Sequence, residues 1–342
     1  MASIKPHKDG WRVQLYVAGV RDSKVLRTQR EAKAWASARE TELRQRKNAP
    51  PADLHTVSDM LLRYEREVSS TKLGARPESL RIAAFLREFP ALASLPLSQF
   101  NTPEVAAWRD ARLSGFVGPD GQPNRPVSSA SVLRDINWLR NAFSIARKEW
   151  HWMDHNPFDG LRSIPEPPPR TRRVAPAEVK RLCRDLGYRT GVAPITKSQE
   201  VALAFLVGLR SAMRAGEILS LGKSTLDLGR RVAEVKHKMQ YLTGRPRQVP
   251  LTRHAARLLR PVAQRDTCFS ITAASLDTLF RKSRDRLLIE DLHFHDSRAE
   301  ALTRLSRKVD VMTLAKISGH KDLRLLQAVY YRESPQDIAA RL

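Results

Sequence analysis

The stretch His295-Asp296-Ser297-Arg298-Ala299-Glu300-Ala301-Leu302-Thr303-Arg304-Leu305-Ser306 decides how this chain is read. Its pattern predicts a helix over 296–306. On the first turn of that helix His295 and Arg298 share a face, so both can meet a single phosphate. Working outward, Ile317-Ser318-Gly319-His320 and the pair Tyr330-Tyr331 follow it, and Ser211-Ala212-Met213-Arg214-Ala215-Gly216-Glu217-Ile218-Leu219-Ser220-Leu221 precedes it. Together these segments bring a chemical set suited to a phosphodiester. An arginine fork neutralises non-bridging phosphate oxygens bidentately, a histidine gives or takes a proton near neutral pH, and a phenolic oxygen can become a covalent nucleophile. None of these groups needs a metal.

The charge balance points to the same kind of partner. Lys and Arg total 60 against 36 Asp and Glu, a formal net charge of +24 over 342 residues, and self-repulsion of that size calls for a polyanion. Arginine predominates among the bases, which suits phosphate contacts. Cys183 and Cys268 have no ligand-like spacing, so neither a disulfide framework nor a zinc site is expected, and a reducing cytoplasm fits. The lysines of residues 1–10 precede no apolar h-region, and the longest apolar run, 201–209, is too short to span a bilayer, so no membrane partner is expected. A Gly-x-x-x-x-Gly-Lys-Ser/Thr loop and a carboxylate cluster for magnesium are both missing from the sequence, so no cofactor is expected.

The chain reads as mainly α with small β-sheets. Residues 1–48 form a three-stranded sheet plus a helix: Trp11, Val13, Leu15 and Val17 alternate with Arg12, Gln14 and Tyr16, residues 18–23 turn, and 24–27 return. Thr28-x-x-Glu31 is a capping-box pattern. Residues 53–162 read as a helical domain, with Val57, Met60, Leu61, Tyr64 and Val68 at helical spacing after Thr56. There Thr102-Pro103-Glu104 supplies a cap and a first-turn proline, and Val132, Leu133, Ile136, Leu139, Phe143 and Trp150 mark another helix. Gly115 to Pro126 is a Gly/Pro-rich loop, suited either to motion or to touching a partner. Residues 163–176, with Pro165, Pro167, Pro168 and Pro169 followed by Arg170, Arg172 and Arg173, form a semi-rigid linker with a positive end. Residues 177–342 read as a mixed α+β domain. Helices are expected over 197–209, 215–221, 252–259, 275–286, 296–306, 311–317 and 323–330, strands over 231–236 and 248–251, and a turn at Thr243-Gly244.

In this second half the chain resembles the tyrosine recombinase family, in particular phage-type integrases. Ser211 to Leu221 is similar to the family's Gly-Met-Arg-x-x-Glu-Leu-x-x-Leu box, His295 to Arg298 to its His-x-x-Arg box, and Ile317-Ser318-Gly319-His320 to its Leu-Gly-His. Many members carry a histidine after the second arginine, where this chain has Ala299. The resemblance implies Arg214, Arg298, His295 and His320 around the scissile phosphate, and Glu217 supporting them. The hairpin from Glu234 through Leu251 looks like the one that delivers a catalytic lysine, with Lys238 the match and Lys236 the alternative. Tyr330 matches the nucleophile if one residue is inserted after the histidine, with Tyr331 the alternative.

The implied activity is site-specific DNA recombination through a covalent 3′-phosphotyrosine, integrating or excising a mobile element such as a phage genome. A type IB topoisomerase, or a DNA-binding regulator with an inactive catalytic domain, would share much of the pattern. Double-stranded DNA is the implied partner. The helical domain would bind core-type sites, and residues 1–48 would bind arm-type sites. Arg12, Lys24, Arg170, Arg172, Arg173, Arg245 and Arg247 are the DNA-binding candidates. The resemblance further implies a homotetramer in synapsis, with the tail 335–342 packed in cis or exchanged between protomers through Ile338, Ala339 and Leu342. It also allows a DNA-bending host factor or an excision factor, and a place on the nucleoid in the bacterial cytoplasm.

Overall fold

The computed structural model describes residues 2–17, 19–168, 170–236, 244–331, 336 and 339, without the side chains of 46–48. The chain divides into two compact units, Met1–Pro168 and Pro169–Leu342.

In the first unit β1 (Ser3–His7), β2 (Gly10–Val17) and β3 (Val20–Leu26) form an antiparallel sheet in sequence order. Val13, Leu15 and Val17 are buried and Arg12, Gln14 and Tyr16 are exposed, the alternation expected of a strand with one covered face. Helix α1 (Gln29–Asn48) covers that face with Ala32 and Ala36, and Thr28 makes both halves of the expected capping box with Glu31. The turn is tighter than the 18–23 expected. Val17 pairs directly with Val20, because Gly19, at φ 87°, supplies the left-handed backbone that a short hairpin connection needs.

The rest of this unit is helical: α2 (Pro51–Leu54), α3 (Val57–Glu67), α4 (Ala75–Glu88), α5 (Pro90–Ala93), α6 (Thr102–Ser114) and α7 (Ser129–Lys148). Their core holds the predicted Val57, Met60, Leu61, Tyr64, Val132, Ile136, Leu139 and Phe143, together with Val105 and Trp108 of α6. Thr102 is not the cap of α6. It is the first helical residue, its hydroxyl donates to the carbonyl of Pro157, and the N-cap is Asn101, whose amide donates to Glu104. The Gly115 to Pro126 loop contains a short ribbon, β4 (Phe116–Val117) with β5 (Pro123–Asn124), and Phe116 packs on Phe89 at 4.6 Å between ring centroids.

The second unit is built around α9 (Lys197–Ser211), which follows α8 (Pro176–Asp185), a helix the sequence reading missed. Val201, Leu203, Phe205, Val207 and Leu209 of α9 are all buried, with Phe280 and Phe294 against Phe205 at 4.9 and 5.8 Å. After α10 (Ala215–Leu219) come the strands β6 (Leu226–Asp227), β7 (Val232–Val235) and β8 (Arg247–Pro250), a sheet with one strand more than expected. The expected turn residue Thr243 lies outside the described residues. Then follow α11 (Arg253–Leu259), α12 (Ala273–Arg286), α13 (Asp296–Ser306), α14 (Val311–Ser318) and α15 (Leu323–Tyr330). A smaller apolar cluster of Ala212, Ala301, Leu302, Leu314 and Leu326, with Tyr330 and Tyr331 packed against it, joins α13, α14 and α15 to the end of α9. Each of its leucines contributes about 1.5–3 kcal/mol by leaving water.

Arg170, Arg172 and Arg173, read from the sequence as the positive end of a linker, are stapled to carboxylates of the second unit. Arg170 holds Asp296 through two nitrogens and Asp291 through a third contact. Arg172 pairs with Glu178 at 2.5 Å, and Arg173 with Glu300 at 2.6 and 2.9 Å. Among the described residues no helix is long and apolar enough to cross a membrane.

Candidate active site

Glu217 is the point on which the sequence-predicted residues converge. Arg214, the N-cap of α10, donates its amide to Glu217 Oε2 at 2.8 Å and its Nη1 to Oε1 at 2.9 Å. Arg247 of β8 donates Nη2 to the same Oε1 at 2.7 Å, and Arg298 Nη1 stands 4.0 Å from Oε2. The carboxylate is 7% exposed. Burial alone would push its pKa up, but the Arg214 amide and the Arg247 guanidinium outweigh burial and hold it below the usual range.

Arg298 is buried, and its fork is committed to two carbonyls: Ala212 through Nη1 at 2.5 Å and Ser318 through Nη2 at 2.8 Å. Ala212 ends α9 in the left-handed conformation, φ 58°, which turns its carbonyl toward the guanidinium and aims the chain at Arg214. Burial, then the nearby Arg214, lowers Arg298 to about 10, so it stays charged at neutral pH. The Arg214 side chain is 45% exposed and open to an outside anion. Helix α13 can approach α9 this closely because position 208 is glycine. A Cβ there would stand 2.5 Å from Ser297 Oγ.

His295 starts α13 and is exposed, yet lowered below its ordinary pKa by desolvation first and then by Arg298. His320 follows Gly319, the left-handed C-cap of α14 at φ 70°, and its Nδ1 lies 2.7 Å from Ser318 Oγ. Burial lowers His320 to about 4, with Arg298, Arg214, Arg247 and His295 adding to the effect. Both imidazoles are therefore neutral at pH 7 and able to accept a proton. Tyr330 ends α15. Burial raises its pKa and Arg298 pulls it back, so the phenol is in electrostatic reach of that guanidinium. Tyr331 points elsewhere, donating its hydroxyl to the carbonyl of Val309 at 2.6 Å.

The structure thus brings together Arg214, Glu217, His295, Arg298, His320 and Tyr330. Lys238 lies outside the described residues, as does most of the tail 335–342, and Lys236 is exposed at the end of β7. The DNA-binding candidates fall into two groups. Arg12 and Arg245 are exposed, and Lys24 is exposed but lies over the Trp35 ring at 5.9 Å, on the helix-covered side of the sheet. Arg170, Arg172, Arg173 and Arg247 are engaged with carboxylates of their own unit. Sequence reasoning missed Ser318, Asp296 and Glu300 as supports of the site. Gly208, a glycine inside an apolar helix, was a signal of close packing that it passed over.

The phage integrase family profile matches residues 172–337. A putative integrase/recombinase of Haemophilus influenzae is 34% identical over 97% of this chain and 87% of its own length. The shufflon-specific DNA recombinase of Escherichia coli is 32% identical over 80% of this chain and 68% of its own. Among solved structures, the Tn1549 transposon integrase in complex with circular intermediate DNA superposes with a TM-score of 0.62 at 17% identity, covering 84% of this chain and 98% of that one. Lambda integrase superposes over 97% of this chain and 96% of that one with a TM-score of 0.60 and 17% identity, both as a dimer bound to a core site and as a tetramer bound to a Holliday junction. A basic chain whose distant segments bring Arg214, two histidines and a tyrosine into the field of the buried Arg298, and whose relatives align over most of their length, belongs to the phage integrase family of tyrosine recombinases and is a DNA strand-breaking and rejoining enzyme of that family.

Proposed function

We propose that this recombinase cuts each strand by attack of Tyr330 Oη on phosphorus, forming a 3′-phosphotyrosyl bond while the bond from phosphorus to the 5′-oxygen breaks. Arg214 and Arg298 neutralise the charge that builds on the non-bridging oxygens, the largest single contribution expected at such a site. The phenol, which burial raises above its ordinary pKa, needs a base at pH 7. His295, held neutral by desolvation and Arg298, takes its proton. The leaving 5′-oxygen receives a proton from the hairpin lysine, Lys238 or Lys236. Burial first, and then the arginines around it, hold His320 near 4, and a docked phosphate offsets the second of these, so that His320 hydrogen-bonds the pentacoordinate state. Rejoining to a partner strand reverses these steps, and because the ester bond is conserved it needs no ATP.

The observation that carries this reading is the meeting of Arg214 and Arg298 on the two oxygens of Glu217, with Tyr330 in reach of Arg298. Incubation with a nicked suicide duplex cut from the genomic junction beside the gene, followed by mapping of the DNA-linked peptide, tests it. The adduct is expected on Tyr330 and lost in Tyr330→Phe with duplex binding retained. An adduct on Tyr331 would overturn the assignment.

The wider setting rests on the same reading. The protein assembles as a tetramer on two synapsed core-type sites, moves a phage or similar mobile element, and acts on the nucleoid, with a bending factor or excision factor setting direction. Residues 1–48 bind an arm-type site through the sheet face opposite α1, where Lys5 pairs across the strands with Arg12, and Arg21 lies over the Tyr16 ring.

A further inference from the structure

One side chain of the hairpin reaches two other segments of the pocket at once. Arg247 gives Nη2 to Glu217 Oε1 at 2.7 Å and Nη1 to the carbonyl of Ile317 at 2.5 Å. It also runs along Gly319, where a Cβ would stand 3.0 Å from Arg247 Nε, 3.1 Å from its Cζ and 3.3 Å from its Cδ. The side chain is 13% exposed, and its Nε is buried without a hydrogen-bond partner among the described residues. In register it lies opposite Val235, the residue before Lys236.

We propose that Arg247 is a positioning residue for strand cleavage. It locks Glu217, the 317–320 turn and strand β8 into one frame, so that Arg214 and His320 meet the scissile phosphate together. The inference rests on the active site described above but assigns Arg247 a role other than holding DNA. The carbonyls of Ile317 and Ser318 are captured by two different arginines, Arg247 and Arg298, and that double hold fixes where Gly319 turns and where His320 emerges. A planar fork can serve the carboxylate and the carbonyl at once, whereas a lysine ammonium is a point charge that cannot span both. With the fork gone, Glu217 loses one of its guanidinium partners. Its Oε2, already 4.0 Å from Arg298, then competes with the phosphate for that charge.

The test uses the full-length chain, with Arg247→Gln and Arg247→Lys assayed for single-turnover adduct formation on the junction suicide duplex at saturating DNA. Arg247→Gln is expected to slow the step by about 10²-fold, the usual cost of a displacement near 1 Å among reacting groups, with duplex affinity and its salt slope unchanged. Arg247→Lys is expected to recover only part of the rate. In the DNA-free protein, the His320 imidazole followed by NMR is expected to titrate at higher pH in Arg247→Gln, since Arg298, Arg214 and His295 then hold it down without Arg247. A wild-type cleavage rate in either variant would overturn the proposal. So would a loss of affinity with the salt slope shallower by about one counterion, the signature of a direct phosphate contact. If Arg247→Gln fails to fold, Arg247→Lys decides by its rate. If even the wild type forms no adduct, the reading of Tyr330 fails instead, and the titration of His320 still judges Arg247.

Discussion

Tyr330 and Tyr331 are neighbours of the same chemistry, and their surroundings tell them apart. Tyr331 spends its hydroxyl on Val309, while Tyr330 lies in the field of Arg298. Tyr331→Phe is therefore expected to keep adduct formation and to cost about 1 kcal/mol of stability, read from the urea midpoint. His320 makes a second prediction. Its folded pKa, about 4, lies below the ordinary 6.5, so between those values the unfolded chain binds a proton that the folded chain refuses. Stability of the DNA-free protein then falls as pH drops from about 6.5 to about 4, by about 1–2 kcal/mol once solvent screening of the half-buried ring is allowed for, and His320→Gln flattens that slope. Urea titrations at stepped pH decide it, and an unchanged slope in the variant would count against the buried, arginine-surrounded imidazole.

Among the elements, α13 carries both His295 and Arg298, and two contacts set its place. Gly208 lets α9 approach it, and Glu300 ties it to the chain entering the unit through Arg173, Arg304 and the Val174 amide. Burial would raise Glu300, but Arg173 and Arg304 hold it at about 2, so its stabilisation is complete above about pH 4.5 and is lost as pH falls toward 2. Glu300→Gln is expected to destabilise by about 2–3 kcal/mol at pH 7, and to reduce acid sensitivity in that window by the share that Glu300 contributes. Gly208→Ala should cost about 1–3 kcal/mol through overpacking against Ser297, more than its gain in helix propensity, and should lower the cleavage rate by displacing Arg298. Chemical denaturation checks both. Adding Ser297→Gly to Gly208→Ala should recover only part of the stability, because it removes the colliding hydroxymethyl but also the hydrogen bond from Ser297 Oγ to the Phe294 carbonyl, and leaves a glycine in the helix.

At the scale of the whole molecule, a net charge of +24 predicts that duplex binding weakens steeply with salt. Removal of residues 1–48 is expected to leave adduct formation on a core duplex intact, while abolishing the gain in affinity from a second tethered DNA segment, measured by band shift. What the sequence by itself determined was everything governed by local spacing. The bounds of α13 and α15, the alternation of β2 and the Thr28 capping box needed only neighbours a few residues away, and so did the chemical inventory of Arg214, His295, Arg298, His320 and Tyr330. What only the tertiary structure decided was the use of each charge. Arg170, Arg173 and Arg247 look in sequence like phosphate ligands, yet each meets a carboxylate that is 30 to 127 positions away along the chain. Whether an arginine faces DNA or a buried acid depends on chain closure over such separations, and no local pattern records that.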